Sequence, residues 1–188
     1  MKKIAALCIA ISFLTGCAVN LPFNNRLSYS AIKELRQSIH PTGAKINISW
    51  EPSGFPERID VHGSSGFVGG GSRTRIPTGI ALSARIEEAI SSYADIAPDG
   101  KNLIIKVDDA QSKFEFASGL VNVTPTIDVA DATFKATFNL DGDVWTKEYK
   151  SKLKDPTIGG TSETGLLEKA WDNIAVQVAT DVARHLRQ

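Results

Sequence analysis

The chain has little cysteine: two residues in 188, Cys8 and Cys17, both near the front. The body that follows therefore forms no disulfide and no thiolate metal site, and its stability must come from a hydrophobic core. It also lacks an excess of either charge, with 21 Lys and Arg against 21 Asp and Glu. Two of the basic residues, Lys2 and Lys3, and none of the acidic ones fall within 1–16, so the remainder holds 19 against 21, a formal charge of −2. No basic field is available for nucleic acid. A long apolar run is missing too. The first apolar stretch, Ile4 to Leu14, is interrupted by Ser12, and it falls short of the roughly 20 residues that span a bilayer. The sequence contains neither G-x-G-x-x-G nor G-x-x-x-x-G-K-[ST], and neither H-E-x-x-H nor G-x-S-x-G, the spacings that carry nucleotide, zinc and serine-hydrolase chemistry.

What is present at the front has an order of its own. Met1-Lys2-Lys3 is basic, the apolar stretch is short, and small residues close it, the arrangement of an export signal. Its end, Leu14-Thr15-Gly16-Cys17, resembles the lipobox of bacterial lipoproteins. That resemblance implies a diacylglycerol on the Cys17 thiol, cleavage after Gly16, and a third acyl chain such as palmitate on the freed amine. Thiolate is the best nucleophile at neutral pH, which explains the cysteine. Two acyl chains hold a protein firmly, since each buried CH₂ adds about 0.8 kcal/mol. Residue 18 is Ala rather than Asp. By the same resemblance, this points to the outer membrane, with the domain facing the periplasm. The expected organisation is a signal peptide over 1–16, a lipidated Cys17 with a short tether over 17–27, and a single periplasmic domain over 28–188. An extended tether of about ten residues reaches at most about 35 Å.

The domain reads as α+β. Residues 28–40 have helical spacing through Ile32, Leu35 and Ile39, with Ser28 or Ser30 as cap. Alternation predicts strands over 45–50 and 58–63. A second helix is predicted over 78–94, with Ile80, Leu82, Ile86, Ala89, Ile90 and Tyr93 on its apolar side. Four strands follow: 102–107, 113–123 with a bulge at Gly119, 129–140 and 143–153. Asp141-Gly142 joins the last two as a hairpin. Phe134, Ala136, Phe138 and Leu140 alternate with Thr133, Lys135, Thr137 and Asn139, so one face should be dry and one wet. Residues 165–187 carry a stripe of Leu167, Ala170, Trp171, Ile174, Val178, Val182 and Leu186, with Glu168, Asp172, Asp181 and Arg184 off it. The sum is an antiparallel sheet of about 5–6 strands with helices packed on one face, including a long C-terminal helix.

Candidate sites are few. The glycine-rich segment 63–75 contains Phe67, Val68, Arg73 and Arg75 ahead of a helix. It reads as a connection between strand and helix, or as a contact for a partner or lipid through those four residues. His40, His62 and His185 are scattered, with the first and last near helix C-termini, where they complement the dipole. Asp108 and Asp109 are neighbours at a strand end and point to opposite faces, a poor catalytic pair. Trp50, Trp145 and Trp171 read as core. No catalytic residue, cofactor or metal ligand set is implied.

The order of elements over roughly 45–187 resembles the small outer-membrane lipoproteins grouped around ABC-transport auxiliary components, and the lipopolysaccharide-assembly lipoprotein in layout. The resemblance implies a non-enzymatic accessory lipoprotein that binds an envelope protein complex or a lipid. A cell-wall module, such as a regulator of a peptidoglycan synthase, is the alternative, and a hydrolase with an unrecognised site is a third.

Overall fold

The structure, a computed structural model, describes residues 18–20, 22–41, 43–51, 58–62, 73–115, 127–156 and 159–187. The elements run β1 (Ala18–Asn20), α1 (Tyr29–Ser38), β2 (Lys45–Glu51), β3 (Ile59–His62), β4 (Arg73–Ile76), α2 (Thr78–Ser91), β5 (Asp95–Ile96), β6 (Lys101–Glu115), β7 (Ile127–Leu140), β8 (Asp143–Pro156) and α3 (Glu163–His185). The strands form a five-stranded sheet in the order β5-β2-β6-β7-β8 and a three-stranded sheet in the order β1-β4-β3. The class is α+β, as expected, but the main sheet is mixed rather than antiparallel. β2 lies between β5 and β6 and runs parallel to both. Parallel neighbours need a long crossover, and here β3, β4 and α2 lie between β2 and β6 in the chain. The antiparallel half is the ribbon β6-β7-β8.

One correction concerns β6. The strands expected over 102–107 and from 113 onward are a single strand through Asp108 and Asp109, with a bulge between Val107 and Asp109; the bulge expected at Gly119 lies outside the described residues. Residues 116–126 lie outside the described residues. The bulge inserts one residue and flips the inward phase. Leu103, Ile105 and Val107 are buried before it, and Ala110, Ser112 and Phe114 after it. A strand whose alternation changes parity midway looks like two strands in sequence. The Asp pair therefore sits within a strand and not at its end: Asp108 is exposed and receives a hydrogen bond from Thr137 Oγ1 at 3.1 Å.

β7 keeps its phase throughout, burying Ala130, Ala132, Phe134, Ala136, Phe138 and Leu140. At the tip, Asp141 and Gly142 both have positive φ, 49° and 98°, the signature of a two-residue type I′ hairpin. α3 lies against β7 and β8 and against α2; α2 also meets β6, and α1 packs on the other two helices. Ser28 caps α1 by accepting from the Ala31 amide, and Ser162 caps α3 by accepting from the Gly165 amide. Each satisfies one orphan donor of a first turn. The expected stripe of α2 is partly wrong. Ile80 is exposed, while Ala81 and Arg85 are buried.

Candidate functional site

Three groups of polar side chains are built around α3. The first joins the N-terminal segment to the helices. Phe23 packs on the Trp171 ring at 5.1 Å between centroids. The Asn24 amide donates to Glu168 Oε1 at 2.6 Å, the Leu27 amide to Glu88 Oε2 at 2.7 Å, and the Ser28 amide to Asp172 Oδ2 at 3.3 Å. Leu27 itself is buried in the core. Part of the segment read as a tether thus lies against α2 and α3, with Glu168 and Glu88 taking its Asn24 and Leu27 amides and Asp172 taking that of Ser28 just beyond it. Hydrogen bonds to an ionised acceptor are the stronger kind.

Asp172 also anchors the buried centre of this region. Arg85 Nε donates to Asp172 Oδ1 at 2.8 Å, and the two residues are 1% and 6% exposed. The guanidinium lies over the Trp171 ring at 5.3 Å. On the far side, Trp171 Nε1 and Thr78 Oγ1 both donate to Ser112 Oγ at 2.9 Å. A charge this deep is tolerated only when paired, and Asp172 supplies the pairing. The sequence places Asp172 off the apolar stripe and leaves Arg85 out of the apolar side of α2. The one available signal was Arg85 at helical spacing from Ala81, Leu82 and Ala89, inside the stripe itself.

The second group surrounds Asp181, also expected off the stripe and also buried. Its Oδ2 receives Lys147 Nζ and, at 3.0 Å, Tyr149 Oη, while Oδ1 receives Arg184 Nη1 at 3.0 Å. Burial, reinforced by the Asp181 carboxylate, pushes the Tyr149 hydroxyl far above its ordinary pKa. Next to it, His185 stacks on Trp145 with centroids 3.7 Å apart and holds Asp143 Oδ2 at 2.6 Å. Trp145 stacks in turn on Phe138 at 5.0 Å. Both oxygens of Asp172 and of Asp181 are thus engaged: Asp172 ties α3 to α2 and to the segment before α1, and Asp181 ties α3 to β8.

The third feature is an open polar groove of about 390 Å³ between α1, the edge strand β8 and α3. Lys150, Lys152, Leu153, Asn173 and Gln177 line it, with Glu34 on the α1 side. Gln177 Nε2 donates to the Lys150 carbonyl and Asn173 Nδ2 to Ser151 Oγ, each at 3.2 Å. Lysines along a sheet edge discourage pairing with another strand.

Among the expected site residues, Cys17, Phe67 and Val68 lie outside the described residues. The backbone of Arg73 opens β4, and Arg75 is exposed on the same strand. Trp171 is fully buried, as expected of core, but Trp50 and Trp145 are only partly so. Trp50 Nε1 donates to Glu87 of α2 at 2.7 Å. The described residues contain no group of three or more His, Cys, Asp or Glu that could hold a metal ion, and no helix among them is long and apolar enough to cross a membrane.

No protein-family model and no curated protein matches the chain. Solved structures do. A minor lipoprotein from Acinetobacter baumannii is similar at a TM-score of 0.44 and 10% identity, covering 78% of this chain and 95% of that one. The rare lipoprotein B from Shewanella oneidensis is similar at a TM-score of 0.34 and 10% identity, covering 76% of this chain and 93% of that one.

Proposed function

We propose that the chain is a non-enzymatic accessory lipoprotein of a bacterial envelope. It is acylated at Cys17, anchored in the outer membrane and exposed to the periplasm, where its domain binds an envelope protein complex or a lipid. The observation that carries this reading is the run from the basic Met1-Lys2-Lys3 through the short apolar stretch to Leu14-Thr15-Gly16-Cys17. The build of the domain supports it. Of its buried charges, Arg85, Asp172 and Asp181 are bound to one another or to neighbouring side chains, the arrangement of a scaffold that presents surface rather than reactive groups. The groove between α1, β8 and α3 is a concavity on that surface open to a partner.

The test is mass spectrometry of the N-terminal peptide from the membrane fraction. The expected product begins at Cys17 and carries a diacylglycerol and a further acyl chain. Cys17→Ser should accumulate as the longer, unacylated precursor. On a density gradient the parent chain should travel with outer membranes and Ala18→Asp with inner ones. An unmodified N-terminus in the soluble fraction would refute the reading. Co-sedimentation with purified sacculi in the absence of any captured envelope protein or lipid would favour the cell-wall alternative.

A further inference from the structure

The register of the small sheet shows where the proposed anchor leaves the body. β1 runs parallel to β4, with Ala18 opposite Arg73 and Asn20 opposite Arg75. β3 runs antiparallel on the other side of β4, with His62 opposite Arg73 and Ile59 opposite Ile76. The start of β1, the start of β4 and the end of β3 therefore share one end of the sheet. Cys17 is the residue before Ala18, and consecutive Cα atoms lie about 3.8 Å apart.

The chain beyond β1 is equally confined. β1 is paired with β4 over its whole length. After it, the amides of Asn24, Leu27 and Ser28 are held by Glu168, Glu88 and Asp172, and Phe23 rests on Trp171. Among the described residues from 18 to 28, β1 is held by β4, and Phe23, Asn24, Leu27 and Ser28 are held by the helices.

We infer that the end of the three-stranded sheet marked by Ala18, His62 and Arg73 is the membrane-apposed surface of the domain, seated against lipid headgroups. The occupant is a phospholipid surface, because the glycerol joined to the Cys17 sulfur lies at headgroup level and the chain continues directly into β1. The opposite end of the same hairpin, at Arg58, points away from the bilayer. Four residues separate positions 58 and 62, and at about 3.3 Å per residue this places them roughly 13 Å apart. The inference rests on the reading of Cys17 as acylated.

In the acylated chain the Cys17 sulfur is a thioether and Cys8 has left with the signal, so an introduced cysteine is the single reactive thiol. Arg73→Cys and Arg58→Cys, expressed with the signal intact, are labelled with an environment-sensitive fluorophore. They are then placed in phosphatidylethanolamine–phosphatidylglycerol vesicles carrying a nitroxide on the headgroup. Acylation is read first by mass. The expected result is an acylated chain whose label at 73 is quenched at least about twofold more than at 58, given that spacing. His62→Cys, at the same end, should behave like Arg73→Cys and replaces it if the latter does not match the parent in urea midpoint. An acylated chain with equal quenching at both ends, or with more at 58, overturns the inference and leaves the anchor standing. An unacylated N-terminus overturns both.

Discussion

Asp172→Ala is the most informative single change. In the folded chain, the Arg85 guanidinium is 1% exposed and its Nε is held by Asp172 Oδ1 at 2.8 Å. Its remaining polar contact in this region is long, Nη1 to the Ala81 carbonyl at 3.4 Å. Removing the carboxylate leaves a buried cation without its counter-charge, and breaking a buried pair from one side costs about 3–5 kcal/mol. The Ser28 amide loses its acceptor as well, worth about 1 kcal/mol. For a chain of this size each kcal/mol lowers Tm by roughly 2–4 °C, so the total of about 4–6 kcal/mol should lower the midpoint by about 8–24 °C. Fluorescence of the buried Trp171 during urea unfolding reads the loss directly. The companion variant, Arg85→Met with Asp172→Leu, removes both charges together. Hydrophobic replacement of a buried pair is often neutral or stabilising, so most of the loss should be recovered, to within about 1–2 kcal/mol of the parent. A single variant that loses less than about 1 kcal/mol, or a double variant as unstable as the single one, would refute the claim that pairing is what makes this burial tolerable.

Two further outcomes follow from the same packing. Burial raises the hydroxyls of Tyr93 and Tyr149 well above their ordinary pKa, with Asp181 adding to the effect at Tyr149 and Arg187 opposing it at Tyr93. The folded chain then keeps protons that the unfolded chain releases above about pH 10, so this contribution is complete below that value and is lost as the pH rises beyond it. Urea midpoints should hold up to about pH 9 and then fall by as much as about 1.4 kcal/mol per pH unit per tyrosine. Tyr149→Phe should halve the slope, and an unchanged slope would contradict this assignment. At Gly100 a Cβ would collide with the backbone of Lys45 and Ile46, where the chain crosses the start of β2 to reach β6. Gly100→Ala should cost about 2–3 kcal/mol in the same titration, whereas an alanine tolerated without loss would mean that the crossing is looser than described.

The features legible in the sequence were those decided within a few residues. Ser28 stands next to a helical spacing, and its cap needs only the first turn that follows. Asp141-Gly142 specifies its turn because both positions adopt positive φ. The alternation of β7 exposes its buried face over fourteen residues without a break. The export-type front and its cysteine are likewise local patterns, readable without any tertiary contact.

Everything that depends on a distant partner was decided by the tertiary structure. Arg85 and Asp172 are 87 positions apart, and a charged residue on a helix reads as solvated until its counter-charge is found. The parallel placement of β2 between β5 and β6 comes from a crossover rather than from the composition of any strand. The bulge in β6 disguised one strand as two, because alternation identifies a face only while its parity holds. The segment after Cys17 looked like a tether because it is short and polar. It is fastened because carboxylates of Glu168 on α3 and Glu88 on α2 meet its Asn24 and Leu27 amides in space, with Asp172 holding the next amide, that of Ser28. Local chemistry sets which elements form and where they stop, while burial of charge and the path of the N-terminus are properties of pairs that sequence proximity does not reveal.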